Sequence, residues 1–131
     1  MDLQGVDKSV VFGFPWKNMA TLKRHNDYIL RAVAAYPDRL IGFCCLDPAH
    51  DDAPAEAERC LNRGLSGLGE LAFYGSELTP ALLTRMDPLM SLCREKDLPV
   101  LMHTNEPVGH LYPGQIPHDP GRALPADPAL S

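Results

Sequence analysis

The chain has 131 residues, 45% of them hydrophobic, and a formal net charge of -5 at pH 7. This length is typical of one domain that can bury a core, and the scattered lysines and arginines form no basic stripe that would attract a nucleic acid or an anionic membrane. The N-terminus has no signal-peptide pattern and no apolar run is long enough to cross a bilayer, so we expect a cytoplasmic protein.

Two strand-like segments flank the first predicted helix. Residues 9–16 (SVVFGFPW) and 39–48 (RLIGFCCLDP) are rich in β-branched and aromatic side chains without alternation, which is typical of strands buried on both faces. Between them the sequence predicts a helix with Asn26 or Asp27 as its N-cap and Pro37 at its end. The inward face of this helix is expected to carry Tyr28, Ile29, Ala32, Val33 and Tyr36.

Two further helices are predicted downstream. Residues 51–64 form the first of these, with Pro54 in the first turn. For the second, Asp87 is the expected N-cap and Pro88 the first helical residue. A separate short turn of helix, capped by Thr79, is expected just before it.

The four cysteines show no spacing typical of a metal or redox site. Cys44 and Cys45 are adjacent within an apolar, strand-like run, and free cysteine is commonly buried. We therefore expect reduced, buried thiols. A nucleophilic role for this pair would need a base to activate the thiolate, and the sequence identifies none beside it.

The four strand-like segments begin near Ser9, Leu40, Leu65 and Val100. This spacing of about thirty residues is the size of one strand plus one crossover helix. The sequence therefore predicts an α/β fold of about four βα units with parallel strands, in an open doubly wound sheet or a segment of a barrel. Glycines in the third segment permit close backbone packing, and the dense prolines and glycines from Gly109 onward predict an irregular tail.

Glu70 and His103 are the main candidate site residues, because each follows or ends a predicted strand. Function in parallel α/β folds collects at the carboxyl ends of strands. If the two strands are neighbours, about 4.8 Å separates their backbones, close enough for a carboxylate and an imidazole to share a divalent cation. A catalytic zinc normally takes three protein ligands, so two residues are too few for a complete site.

The loop after His103 supplies three candidate substrate-binding residues, Asn105, Glu106 and His110. His103 and His110 are seven residues apart with a proline and a glycine between them, so they do not form the helical His pair of a zincin. Asp47 is better explained as a turn residue. The sequence contains no nucleophile elbow, Walker loop or dinucleotide-binding fingerprint.

Four segments together resemble the metal-dependent amidohydrolase-related family of TIM-barrel enzymes: MDLQGVDKSVVFGFPW, RLIGFCCLDP, GLGELAFY and LCREKDLPVLMHTNEPVGHLYPG. The resemblance runs from Met1 to Gly114, which predicts a domain over residues 1–114 and a Pro-rich irregular tail over 115–131. It implies a (β/α)8 barrel that holds one or two divalent metals, zinc foremost. In such enzymes an activated water attacks a C–N or C–O bond, and some relatives decarboxylate instead.

On this resemblance, His103 matches a metal ligand of the fifth barrel strand, and Glu70 matches the end of the fourth strand, where some branches place a ligand. The His-x-His pair of the first strand, the sixth-strand His and the eighth-strand Asp have no counterpart. The chain therefore resembles strands two to five, a partial TIM barrel.

The function implied is that of a metal-dependent hydrolase domain, or a decarboxylase-like one, acting on a small-molecule substrate. The isolated chain is expected to be inactive or nearly so. Two alternatives remain open, a non-catalytic α/β binding module and a half-barrel that forms a homodimer or recruits a complementing half-barrel.

Overall fold

The computed structural model describes residues 1–73 and 79–103. A short 3-10 turn at Asp2–Gln4 precedes the main elements. The strands are β1 (Ser9–Val11), β2 (Leu40–Gly42), β3 (Leu68–Leu71) and β4 (Val100–Met102), and the helices are α1 (Met19–Ala35), α2 (Ala53–Asn62) and α3 (Pro80–Glu95). The predicted alternation of strands and helices in an α/β chain is confirmed.

All strand pairs in the described part of the chain are parallel. β1 pairs with β2 in one two-stranded sheet, and β3 pairs with β4 in a second. The chain just beyond β2 links these two pairs, since Cys44 forms a parallel bridge with Leu68. The Cys44 N–H donates to the Gly67 carbonyl at 2.9 Å, and the Gly69 N–H donates to the Cys44 carbonyl at 2.8 Å. Neighbouring strands thus follow chain order, and their carboxyl ends meet at one edge.

The hydrophobic core lies between the sheet and the three helices. Five leucines form its fully buried centre, contributed by both layers: Leu22, Leu46, Leu68, Leu71 and Leu89. All four cysteines are free and buried, which confirms the prediction of reduced, buried thiols. Within the described residues, no helix combines the length and apolar character that a membrane crossing requires.

Helix α1 begins earlier than the sequence predicts. Its N-cap is Asn18, whose side chain accepts a hydrogen bond from the Thr21 N–H, so the predicted caps at Asn26 and Asp27 are wrong. Asn26 is instead buried inside the helix. Tyr28 and Tyr36 are predicted to face inward but are 65% and 63% exposed, because the buried stripe of the helix is formed by Leu22, Asn26, Ile29 and Leu30.

Helix α3 is one continuous helix where two were predicted. Thr79 caps it by accepting from the Leu82 N–H, as expected for the first segment. Pro88 lies in its interior, although an interior proline costs about 3 kcal/mol through a lost hydrogen bond and a steric clash. The buried stripe of α3 continues across this position and favours one helix; it is formed by Leu82, Met86, Leu89 and Cys93.

Two glycines allow β3 to approach β4 closely. A Cβ atom on Gly67 would lie 2.8 Å from the Pro99 carbonyl oxygen, and a Cβ on Gly69 would lie 2.7 Å from the Leu101 carbonyl oxygen. Both distances are too short for real Cβ contacts with backbone. The expectation that glycines in this segment permit close backbone packing is confirmed.

Candidate functional site

Glu70 and His103 meet at the carboxyl edge of the sheet. Glu70 lies within β3, and His103 directly follows β4, where its backbone N–H donates to the Leu71 carbonyl at 2.8 Å. The Nδ1 atom of His103 is 3.0 Å from the Oε1 atom of Glu70. Both side chains are about one-third exposed, 31% for His103 and 33% for Glu70. Parallel pairing of β3 and β4 thus brings together two residues that are 33 positions apart.

The contact indicates which nitrogen of the His103 imidazole carries the proton. When His103 is neutral, the carboxylate of Glu70 can only accept, so the proton belongs on Nδ1 and the lone pair on Nε2. A carboxylate that accepts from one ring nitrogen of a histidine, while the other nitrogen binds a metal, recurs in metal sites. The same pair can also orient a histidine as a general base.

The chemistry of this donor set fits part of a metal site. Carboxylate oxygen and imidazole nitrogen both bind zinc at about 2.0–2.2 Å, so two neighbouring ligand atoms in a tetrahedral site lie roughly 3.3 Å apart. The 3.0 Å between His103 Nδ1 and Glu70 Oε1 is instead a hydrogen-bond distance, and Nδ1 cannot bind a metal while it carries the proton it donates, so in this arrangement Glu70 orients His103. Within residues 1–73 and 79–103, however, no group of three His, Cys, Asp or Glu side chains is arranged to hold a metal ion.

Cys45 contacts Glu70 from the neighbouring strand. Its buried thiol donates to the Glu70 carbonyl oxygen, with 3.2 Å between sulfur and oxygen. Burial, together with the negative charge of Glu70, raises the pKa of the Cys45 thiol to about 12. Hydrogen bonding to Cys60 and burial also raise the pKa of Cys44. Both thiols are therefore protonated at neutral pH, which makes them poor nucleophiles.

A buried polar network holds the backbone at Cys45. The side chain of Asn26 accepts from the Cys45 N–H at 3.2 Å and donates to the Cys45 carbonyl at 3.0 Å. The same amide nitrogen donates to Glu56 Oε1 at 2.9 Å. Arg59 in turn donates to both carboxylate oxygens of Glu56, at 2.7 and 2.8 Å. This network therefore connects α1 and α2 with the end of β2.

Sequence reasoning missed this network, although one signal for it was present. Asn26 and Glu56 occupy positions at helical spacing from buried apolar residues, four after Leu22 and three after Ala53. A polar residue inside an apolar stripe indicates a buried group that needs a partner. The identity of the partners is not encoded locally, because Asn26 bonds to residues 19 and 30 positions away.

Asp47 has the turn role that the sequence predicts. Its Oδ1 atom accepts from the Ala49 N–H at 2.9 Å. It also borders a pocket of about 200 Å³ at the ends of the first three strands, with Lys17 and Phe73. A larger groove of about 730 Å³ lies between the end of β1 and helix α1. Neither Glu70 nor His103 lines these two cavities.

Three of the predicted site residues, Asn105, Glu106 and His110, lie outside the described residues. The predicted domain boundary after Gly114 and the predicted irregular tail also lie outside them. Their proposed roles therefore stay predictions, as do the metal-binding roles of Glu70 and His103.

The whole-chain comparisons agree with the resemblance found in the four sequence segments. A family model described as amidohydrolase matches residues 1–128. A search of curated proteins finds no match to the chain. The matching family consists of hydrolase-type domains with a TIM-barrel fold, and its members generally use divalent metals. Because the match spans nearly all of the sequence, the chain belongs to the amidohydrolase family.

Proposed function

We propose that the chain is a metal-dependent hydrolase domain, or a decarboxylase-like one, in which Glu70 and His103 contribute to a divalent-metal site. The observation that carries this proposal is their 3.0 Å contact at the carboxyl edge of two parallel strands. Nitrogen and oxygen donors suit zinc, which is the metal we expect. Membership of the amidohydrolase family supports the same reading.

The proposed architecture is strands two to five of a (β/α)8 barrel. The strand order supports this architecture, because β1 to β4 lie beside one another in chain order. A doubly wound sheet reverses its strand order at a switch point, and such a reversal is not found among the described strands. The carboxyl edge that carries Glu70 and His103 is then the mouth of the barrel, where TIM-barrel enzymes place their active sites.

The chain's own residues would orient the site. A bound divalent ion would polarise an attacking water and lower its pKa to about 7, for attack on a C–N or C–O bond. Glu70 accepts from Nδ1 of a neutral His103, and Nε2 would be the ring nitrogen that binds the ion. The hydrogen bond from the His103 N–H to Leu71 fixes the backbone from which the imidazole projects. We propose Asn105, Glu106 and His110 as contacts for a small-molecule substrate.

The isolated chain is proposed to have little or no hydrolytic activity. The described residues supply two groups of a site that normally needs three protein ligands. Activity would therefore depend on further ligands, so metal binding is a more direct test of the proposal than turnover.

Zinc binding tests the proposed site. After dialysis against a fixed free zinc concentration, we expect the wild-type chain to retain zinc, with imidazole scattering in its X-ray absorption spectrum. We expect His103→Ala to lose that zinc, and Glu70→Gln to bind it about 10- to 100-fold more weakly, as for other groups that support a ligand. The control is His25→Gln, whose imidazole accepts a hydrogen bond from Trp16 on another part of the fold. Equal zinc retention by His103→Ala and the wild type would contradict the proposal.

A second candidate function is self-association of a half-barrel. Along β1, Val11 packs against the core, whereas Val10 and Phe12 are exposed on the opposite face of the sheet. On β4, Val100 packs against the core and Leu101 is exposed. Parallel sheets are normally covered on both faces, so this apolar face favours a second copy or a complementing half-barrel as its partner.

Mass in solution tests the association. Light scattering after size exclusion is expected to show a dimer for the wild type and a monomer for Leu101→Lys. Leu83→Lys is the matched control, since Leu83 is an exposed leucine of helix α3. A wild-type monomer would argue against self-association, and a monomer without zinc would favour the non-catalytic binding module.

A further inference from the structure

The backbone of Glu70 is held from the side opposite to β4. Cys45 lies just beyond β2 with 1% of its surface exposed, and its thiol donates to the Glu70 carbonyl at 3.2 Å. The Glu70 carboxylate meets His103 Nδ1 on the other strand at 3.0 Å. Glu70 thus receives a contact to its backbone from the chain just beyond β2 and a contact to its side chain from the residue just beyond β4.

Cys45 is itself placed with little freedom. Asn26 makes hydrogen bonds to both the N–H and the carbonyl of Cys45, as a neighbouring strand would. A Cβ atom on Gly13 would lie 3.8 Å from the Cys45 Cβ, so β1 and its continuation close the other side. Cys45 is therefore placed beside Glu70 by groups from two other segments of the chain, helix α1 and the continuation of β1.

Regular strand pairing does not orient Glu70 by itself. The register between β3 and β4 shifts between Leu68 and Leu71, the stretch that contains Glu70. An irregular ladder leaves the direction of a side chain dependent on other contacts. We propose that Cys45 is a positioning residue, whose thiol holds the Glu70 backbone so that the carboxylate meets His103 Nδ1. Its functional meaning rests on the proposed role of the Glu70–His103 pair.

The test compares Cys45→Ala and Cys45→Ser with Cys93→Ala. Serine keeps a hydrogen-bond donor at the position, whereas alanine removes it. Cys93→Ala is the matched control, because Cys93 is also buried but lies on helix α3. Urea unfolding of each variant measures the general cost of losing a buried thiol, which is expected to be similar for the two alanine variants.

The deciding readout is the tautomer of His103, measured from its imidazole ¹⁵N chemical shifts at a fixed pH above the imidazole titration range. We expect the Nδ1–H tautomer in the wild type, a lower population of it in Cys45→Ala, and recovery in Cys45→Ser. Cys93→Ala is expected to match the wild type. If Cys45→Ala does not fold, Cys45→Val, which leaves no cavity at the site but has no donor, replaces it.

Measuring zinc affinity distinguishes a failure of the positioning role from a failure of the proposed metal site. A zinc affinity about 10-fold weaker in Cys45→Ala, restored in Cys45→Ser, would support both. A tautomer change in a chain that binds no zinc would support the positioning role and remove the metal site. An unchanged tautomer in Cys45→Ala or Cys45→Val would overturn the positioning role, whatever the zinc affinity.

Discussion

Arg59→Met is expected to lower the free energy of unfolding by about 3 kcal/mol at neutral pH, because it leaves a buried carboxylate without its cation. The side chain of Glu56 is fully buried, and Arg59 contacts both of its oxygens, at 2.7 and 2.8 Å. Methionine retains the apolar stem of arginine, so the loss reports mainly on the ionic hydrogen bonds.

The loss in Arg59→Met should shrink as the pH falls. Burial raises the pKa of Glu56, but hydrogen bonds from Arg59, Asn26 and Cys60 outweigh it and hold the pKa below its ordinary value of 4.5. A carboxyl group whose pKa is lower in the folded state than in the unfolded state stabilises the fold at pH values above the unfolded-state pKa. This stabilisation is lost as the pH falls through the folded-state pKa. In Arg59→Met the hydrogen bonds from Arg59 no longer offset burial, so the pKa of Glu56 in the folded state rises. Protonation of Glu56 at low pH then removes the unpaired charge.

Urea unfolding of the wild type and Arg59→Met, from neutral pH to below 4.5, measures both effects. The control is Arg63→Met. Arg63 is half exposed and, within the described ranges, its ion pair is with Asp27, which Arg59 also contacts. We expect this control to lose less than about 1 kcal/mol. Equal losses in the two variants, or a loss in Arg59→Met that does not depend on pH, would contradict the assignment.

Asn26→Leu is expected to lower the free energy of unfolding by about 4 kcal/mol. Asn26 is 1% exposed and makes three hydrogen bonds, to the Cys45 N–H, the Cys45 carbonyl and Glu56. Each buried group left without its partner costs about 1–3 kcal/mol. Leucine has the same branching and number of side-chain heavy atoms as asparagine, so the substitution leaves no cavity.

Tyr28→Leu, on the same helix, serves as the control for Asn26→Leu. Tyr28 is 65% exposed, and a substitution at such a site is expected to change stability by less than about 0.5 kcal/mol. Hydrogen exchange supplies a local readout, because the Cys45 amide should lose protection in Asn26→Leu beyond the global change. Unaltered protection at Cys45 would show that Asn26 does not hold this strand end.

The meeting of Glu70 and His103 could be predicted because it depends on few assumptions. Each residue lies at the end of an apolar run, and runs separated by a helix pair in parallel. The carboxyl ends of parallel neighbours lie at the same edge, so the two side chains are expected to be close if the two strands are neighbours. The prediction of proximity is confirmed, while the metal-binding roles and those of Asn105, Glu106 and His110 stay predictions.

The errors in the predicted helices have a common physical origin. Asn26 was assigned as an N-cap because asparagine favours caps over helix interiors, and Pro88 was assigned to a first turn for a similar reason. In both cases burial against distant parts of the chain outweighed the local preference. Asn26 gains hydrogen bonds to Cys45 and Glu56, and the helix around Pro88 gains a continuous buried stripe.

The sequence by itself determined the α/β alternation, the parallel strands and the pair of residues at the strand ends, because these follow from local periodicity and segment length. Only the tertiary structure decided which nitrogen of His103 meets Glu70, that the Cys45 thiol holds the Glu70 backbone, and that Asn26, Glu56 and Arg59 form one network. Except for the Glu56–Arg59 pair within α2, these contacts join groups from separate segments at distances of about 3 Å. Their geometry depends on how the helices pack on the sheet, which no local pattern specifies.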